Sequence, residues 1–371
     1  MNIKEKIKEY AAKIDIDLIG FTKAENFTDL EEILRERESR DFLSGFEEKN
    51  MEKRINPYLT LEEAETIIVI GISYYVDAKD VEYIKNAEIY GNISRSSWGR
   101  DYHSVLKEKM KNLSAYIERE TKNFRFKYFV DTGPLVDRYL AYKAGIGWYG
   151  KNNCIISKDY GSWIFISYII CNLKLEIDDI ERTSCQSCNK CIKGCPTGAL
   201  MENYQYNSKL CISYLTQTKE DIDYRLREKM GNSLYGCDIC QLVCPYNLYV
   251  KSGQRDFIPH RDSHNPHLLE LLKLSNREFK KKFGHTALGW RGNKIIKRNA
   301  LIALGNSRRK EVVKDLKEYL DNPSIMIKKY TAWAIIRLDK KRGKEILDDH
   351  LKKEEEREVI KEIKKLYKFY L

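Results

Sequence analysis

Hydrophobic positions along residues 1–175 switch repeatedly between strand-like runs and helical spacing. The opening MNIKEKIKEYAAKI reads as an amphipathic helix, and the β-branched run TIIVIGISYY (66–75) as a buried strand. From Asp101 to Thr121 the apolar residues Val105, Leu106, Met110, Leu113 and Ile117 keep the spacing of one helix face. FRFKYFVD (124–131) is strand-like. Thr132-Gly133 then turns the chain, and Pro134 suits the first turn of a helix, LVDRYLAYKAG, that stops at Gly145 or Gly147. NCIIS and WIFISYIIC supply two further strands. Strands and helices mixed in this way predict one layered α+β or α/β domain over residues 1–175.

The pattern changes twice more. Residues 176–260 are rich in cysteine and turn formers, with too few apolar positions for a large core without a cofactor. Residues 261–371 form a third region, almost wholly helical from 268 onward, with an internal echo: IKRNALIAL (296–304) aligns with IKKYTAWAI (327–335) at an offset of 31 residues. Each copy has a basic pair followed by small residues at helical spacing, the mark of stacked helix pairs of the HEAT kind. An ordinary helical bundle is the alternative. The fold class expected is therefore α+β: a mixed N-terminal domain, a ferredoxin-like domain and HEAT-like helical repeats.

Charge sharpens this division. The formal net charge is +11, yet residues 271–371 hold 28 Lys+Arg against 14 Asp+Glu, so the first 270 residues carry a net −3. Between Glu278 and Glu311 there are ten basic residues and no acid, among them Lys294, Lys297, Arg298, Arg308 and Arg309. A patch of this kind suits a polyanion, most plausibly nucleic acid; a solvated surface is the bland alternative. No run approaches the roughly 20 apolar residues that span a bilayer, and the N-terminus lacks an apolar signal core. The expectation is a cytoplasmic protein with no membrane association. Its cysteines then stay reduced, and clustered ones point to metal rather than disulfides.

Eight of the ten cysteines lie between Cys185 and Cys244. Cys185-x2-Cys188-x2-Cys191-x3-Cys195-Pro196 matches the bacterial ferredoxin run, in which the fourth cysteine ligates the other cluster. A second set, Cys237-x2-Cys240-x3-Cys244-Pro245, has Leu234 where one more ligand would stand, and Cys211 is the nearby replacement. This assigns Cys185, Cys188, Cys191 and Cys244 to one [4Fe–4S] cluster and Cys195, Cys211, Cys237 and Cys240 to another. Zinc prefers two separated C-x2-C knuckles and fits the spacing poorly. Cys154 and Cys171, in apolar strands, read as ordinary buried thiols.

Two clusters imply a redox centre to feed, and no G-x-G-x-x-G follows a strand to hold a nicotinamide cofactor. SRSSWGRDYH (94–103), DTGPLVDRYLAYKAGIGWYGKN (131–152), Arg54-x-x-Pro57 and the segments CPTGAL, CISYLT and GCDICQLVCPYN together resemble the epoxyqueuosine reductase family, from about Arg54 to the C-terminal repeats. The resemblance implies cobalamin bound by the N-terminal domain (1–175), a double-cluster domain (176–260) and a tRNA-gripping repeat (261–371). The reaction implied removes the epoxide oxygen of epoxyqueuosine at the tRNA wobble position, the last step of queuosine formation.

The same resemblance implies that Asp131 is the proton donor. Its position, ending a strand just before a helix, projects a side chain into a cleft, although a helix-capping carboxylate has the same signature. For the acid role, burial would have to raise its pKa toward neutrality. Arg138 is expected to bind a cofactor amide or an anion, and Tyr102 and His103 to face the same pocket. Family contacts to cobalamin carry over to Arg54, Ser94, Ile155, Ser213, Asp238 and Ile239; some relatives have cysteine where this chain has Ser94. The D-x-H-x-x-G motif is absent, since Asp101-x-His103 is followed by Leu106 and Asp262-x-His264 by His267. That fits cobalamin without a protein imidazole ligand.

Two other readings compete. A cobalamin and iron–sulfur reductase of a small molecule, similar to reductive dehalogenases, leaves the basic helical tail without a purpose. A ferredoxin fused to a nucleic-acid-binding repeat leaves Asp131 and the GRDYH segment unexplained. The expected partners are tRNA carrying epoxyqueuosine and an unidentified electron donor, and nothing in the chain calls for more than a monomer.

Overall fold

A computed structural model describes residues 2–77, 81 and 89–371. Among the described residues eight strands occur in chain order: β1 Leu18–Lys23, β2 Thr66–Ser73, β3 Asn92–Ile93, β4 Phe126–Val130, β5 Trp148–Tyr149, β6 Ile155–Ile156, β7 Ile164–Cys171 and β8 Ser233–Tyr235. Contacts divide the chain into two units. The first comprises residues 1–80, 100–211 and 238–258, and the second 81–99, 212–237 and 259–371. The cysteine-rich segment 176–260 thus contributes residues to both units, whereas sequence composition alone sets it apart as a domain.

The first unit is built on a four-stranded sheet of order β1-β2-β7-β4, antiparallel throughout. Every residue of β2 is buried, as its unbroken β-branched run requires at the centre of a covered sheet. An all-antiparallel sheet resolves the choice between α/β and α+β in favour of α+β. The helix Tyr102–Glu120 is capped by the Asp101 carboxylate, which accepts from the His103 amide at 2.9 Å.

After β4 the chain turns at residues 131–135, with Asp131 in the left-handed region at φ 58°. The next helix, Asp137–Lys143, starts later than Pro134 would allow, with Val136 at its cap. The turn is held open by the Leu135 amide, which donates to the Tyr168 hydroxyl at 3.1 Å. No helix among the described residues is long and apolar enough to cross a membrane.

The second unit is mainly helical. Helices Asn293–Asn306 and Ile325–Leu338, the two copies of the internal echo, pack on each other through Ala300, Ala303, Ala332 and Ala334, all fully buried. Gly305 marks their closest approach, since a Cβ there would lie 2.5 Å from Trp333 Cζ3. Lys340–Leu351 and Arg357–Tyr370 continue the stack.

Arg298 corrects an expectation. Rather than facing a polyanion it is wholly buried, donating to the carbonyls of Thr218 (2.6 Å) and Leu215 (2.8 Å) and to the Asn299 side chain. Burial lowers its pKa to about 10. Its position in the first basic pair belongs to the helix's inner face, which a count of charges does not reveal. Lys294, Arg308 and Arg309 are exposed and Lys297 is half-exposed.

Candidate active site

Tyr102, His103, Asp131 and Arg138, dispersed in sequence, act on one another in the first unit. The Tyr102 ring stacks on Phe165 with centroids 4.3 Å apart and leans on His103 at 4.1 Å. His103 Nδ1 lies 2.9 Å from Asp101 Oδ1, and Nε2 lies 3.6 Å from Asp131 Oδ2. The Asp131 side chain is 62% exposed, so an incoming ligand can reach it. A non-glycine residue held in the left-handed region costs of order 1–3 kcal/mol, and such strain clusters at functional sites.

The electrostatics invert the expectation for Asp131. Desolvation by the protein packed around the turn pushes its pKa up even though the side chain is open to solvent, but hydrogen bonds from His103 and Tyr102, with the charges of His103 and Arg138, outweigh that and hold it below the usual carboxylate range. Asp101, and then Asp131, raise His103 to about 9 against desolvation. At neutral pH the proton of this pair therefore sits on the imidazole. Asp137, nearby, shifts the other way: burial and the Asp131 charge push its carboxyl well above the ordinary range, and its Oδ1 has no hydrogen-bond partner.

Arg138 donates to the Asn153 carbonyl at 2.5 Å. Its charge also acts on Arg37 and Arg54, whose guanidinium pKa values burial and mutual repulsion lower despite Glu47. The three guanidinium groups repel one another, while Glu47 offsets part of the charge at Arg37 and Arg54 and Glu38 and Glu48 add to that offset at Arg54. Sequence reasoning singled out Arg54 and Arg138 but missed Arg37 and Asp137, which lack a motif. Asp101 had a signal, an aspartate two residues before a histidine at a helix start.

Ile155 is buried in β6; Asp238 is buried and Ile239 half-buried, both in the first unit. Ser94 and Ser213 belong to the second. Within that unit the Ser94 amide donates to the Tyr235 carbonyl at 2.9 Å, and Gly236 (φ 69°) comes so near that an added Cβ would lie 2.5 Å from Ser94 Cβ.

The first cysteine set is assembled. Cys185, Cys188, Cys191 and Cys244 line one cavity with Lys151, Lys190 and Tyr246, though Cys244 is 53 residues from Cys191 in sequence. None of the ten cysteines is in a disulfide. Burial pushes Cys191 to about 11 and raises Cys244, so iron binding at these two must displace protons. Among the described residues no three His, Cys, Asp or Glu side chains converge as ligands of a single ion, the geometry zinc needs. Thiols set around a void fit the larger iron–sulfur cube. Of the second set, Cys195, Cys211 and Cys240 fall in the first unit and Cys237 ends a segment of the second. Burial opposes ionisation of Cys195, but the amides of Leu200, Ala199 and Thr197 and the Thr197 hydroxyl lower its pKa overall.

Two ferredoxin-type cysteine sets, one of them gathered around a single cavity, mark an iron–sulfur oxidoreductase. Residues 184–247 match the 4Fe-4S double cluster binding domain, and residues 54–132 match the model described as epoxyqueuosine reductase QueG, DUF1730. The chain is 40% identical to an epoxyqueuosine reductase of Listeria monocytogenes, covering 97% of this chain and 96% of that one, and 41% identical to one of Bacillus subtilis, covering 98% and 95%. It belongs to the epoxyqueuosine reductase family. An epoxyqueuosine reductase solved with an epoxyqueuosine-modified tRNA-Tyr stem loop superposes over the full length of both chains with a TM-score of 0.94 at 41% identity. The Bacillus subtilis enzyme solved with its catalytic aspartate loop swung out of the active site also gives 0.94, at 40% identity and full coverage of both chains.

Proposed function

We infer that this chain reduces epoxyqueuosine to queuosine in tRNA, with two electrons and two protons entering and the epoxide oxygen leaving as water. The observation that carries the residue assignments is the Asp101–His103–Asp131 network, a proton store coupled to a reachable carboxylate on a strained turn. Asp131 hands the proton to the departing oxygen, and His103 holds that proton at neutral pH and reloads the carboxylate. A Bacillus subtilis relative solved with its aspartate-named catalytic loop swung out of the active site supports giving the role to an aspartate carried on a loop.

Cobalamin is the redox cofactor in this reading; when bound, it supplies low-valent cobalt able to open the epoxide. The donor chemistry fits it. Arg37, Arg54 and Arg138 are cations that would hold the phosphate of its nucleotide tail. Ile155, Ser94, Ser213, Asp238 and Ile239 are the remaining proposed contacts. Thiolates of Cys185, Cys188, Cys191 and Cys244, and of Cys195, Cys211, Cys237 and Cys240, hold the two clusters that pass electrons inward.

The substrate is tRNA rather than a small molecule, because the relative solved with a modified stem loop matches over its full length and because Lys294, Arg308 and Arg309 are exposed on the basic helices. Residues 261–371 supply most of that grip, residues 1–175 the chemistry and 176–260 the clusters. A monomer in the cytoplasm suffices. Incubating the reconstituted protein with epoxyqueuosine-containing tRNA and dithionite, followed by nucleoside mass spectrometry, tests this: queuosine should replace epoxyqueuosine. Unchanged epoxyqueuosine in the presence of both clusters and cobalamin refutes it.

A further inference from the structure

Cys244 sits in a segment whose exposure pattern is unusual. From Gln241 to Tyr249 the buried residues recur every third position, at Gln241, Cys244 and Asn247. The pairs between them are exposed: Leu242 at 53% and Val243 at 36%, then Pro245 with Tyr246 at 39%, then Leu248 at 62% and Tyr249 at 97%. Five large apolar side chains thus stand in solvent within eight residues of sequence, around a cluster ligand. Isolated exposed apolar residues need no explanation; a contiguous group marks an interaction site.

This ridge is held rigid from beneath. Gln241 Nε2 donates to the Ser162 carbonyl (2.9 Å) and to the Tyr74 hydroxyl (3.0 Å). Asn247 Nδ2 donates to Ser162 Oγ (2.9 Å) and to the Gln241 carbonyl (2.8 Å), and Asn247 Oδ1 accepts from the Ser162 amide at 2.8 Å. Tyr246 meets Trp148 edge-on at 5.1 Å. A buried polar clasp of this kind keeps the apolar pairs pointing outward instead of letting them collapse onto the protein.

The surroundings are basic. Lys151 and Lys190 line the cluster cavity together with Tyr246, and Lys193 lies exposed on the helix Lys190–Gly194, whose last residue faces Val243. Acids are sparse along the cluster-binding segments: none lies between Glu181 and Glu202, and between Cys237 and Asp256 the single acid, Asp238, is buried. Cys185 and Cys188 are themselves part-exposed, so this cavity is close to the surface.

We propose that the ridge Leu242, Val243, Tyr246, Leu248 and Tyr249, flanked by Lys190 and Lys193, is the docking face for a small acidic protein that carries one electron at a time. The positive flank steers an acidic partner, and the apolar pairs form the dry centre through which an electron passes. Each encounter oxidises the reduced carrier by one electron and reduces the cluster held by Cys185, Cys188, Cys191 and Cys244 by one. Two encounters supply the two electrons for each epoxide, and the two protons come from the Asp131 network and solvent. The proposal rests on the electron-accepting role inferred above and names the entry point that role requires.

The test is stopped-flow bleaching of the cluster absorbance of the holoprotein, using an acidic flavodoxin in its reduced form as the carrier and dithionite as the small-molecule control. Leu248→Glu/Tyr249→Glu alters only exposed side chains. It should slow reduction by flavodoxin about tenfold while leaving reduction by dithionite unchanged. Lys190→Glu/Lys193→Glu should slow flavodoxin about tenfold at low salt and flatten the salt dependence of its rate. Wild-type rates with flavodoxin in both variants overturn the proposal. So does a wild-type dimer in light scattering that Leu248→Glu dissociates without changing flavodoxin-driven reduction, which would give the face to a second copy of the chain. If dithionite bleaches the clusters but epoxyqueuosine is never reduced, the functional reading fails and the docking face stands or falls separately.

Discussion

The imidazole of His103 lies 3.6 Å from the Asp131 carboxylate, and at neutral pH the proton between them rests on the imidazole. The ordinary route to a carboxylic-acid proton donor is burial that raises its pKa. Here a reachable carboxylate is kept ionised beside a charged histidine, which Asp101 steadies from the other side. In the proposed reaction the acid function then belongs to the pair rather than to Asp131 alone.

A pH profile follows directly. The His103 pKa is raised from 6.5 to about 9, so the imidazolium is fully present well below pH 9 and is lost as pH rises through that value. Single-turnover rates should be level through pH 7–8 and fall with an apparent pKa of about 9. In Asp101→Asn, which removes the carboxylate hydrogen-bonded to the charged ring, the fall should move toward the ordinary histidine range. An unmoved basic limb would detach His103 from the proton path.

Asp131→Asn should lower turnover by about 10²-fold or more, the typical contribution of a positioned general acid, while iron content and cobalamin affinity stay as in the wild type. Metal analysis and a visible spectrum, read beside the nucleoside assay, separate lost chemistry from lost cofactor.

Cys244→Ala should remove one cluster and spare the other, so that iron per chain falls from about eight to about four. Cys211→Ala should do the same to the second set. If Cys211→Ala retained full iron, another residue would have to complete that set.

The basic helices yield two opposite outcomes. Charge reversal at Lys294, Arg308 and Arg309 should weaken tRNA binding and reduce its salt dependence with no change in Tm, because these groups are exposed. Arg298→Met should do the reverse, destabilising by about 3 kcal/mol, because the Thr218 and Leu215 carbonyls would lose their donor in the core. Thermal unfolding and filter binding on the same variants distinguish the two.

Much of this architecture was legible in the chain. The β2 and β7 runs, the Tyr102–Glu120 helix and the echo that becomes two packed helices all follow from periodicity. Cysteine spacing anticipated that Cys244 would join Cys185, Cys188 and Cys191 across a long gap, because a cluster needs a fourth thiol and the ferredoxin run sends its own fourth elsewhere. What escaped was whatever depends on neighbours distant in sequence. The direction of the Asp131 shift is set by His103 and Arg138, the burial of Arg298 by carbonyls 80 and 83 residues away, and the cationic character around Arg54 by Arg37. Pro134 misled because the Tyr168 hydroxyl captures the Leu135 amide and delays the helix.

The chain crosses from one unit to the other five times, since residues 81–99 and 212–237 belong with the C-terminal helices. Cutting after residue 258 therefore severs the helical repeats yet strands two pieces of their unit upstream. Neither unit can be expressed as an uninterrupted polypeptide, and the repeats cannot be grafted onto another reductase as a cassette.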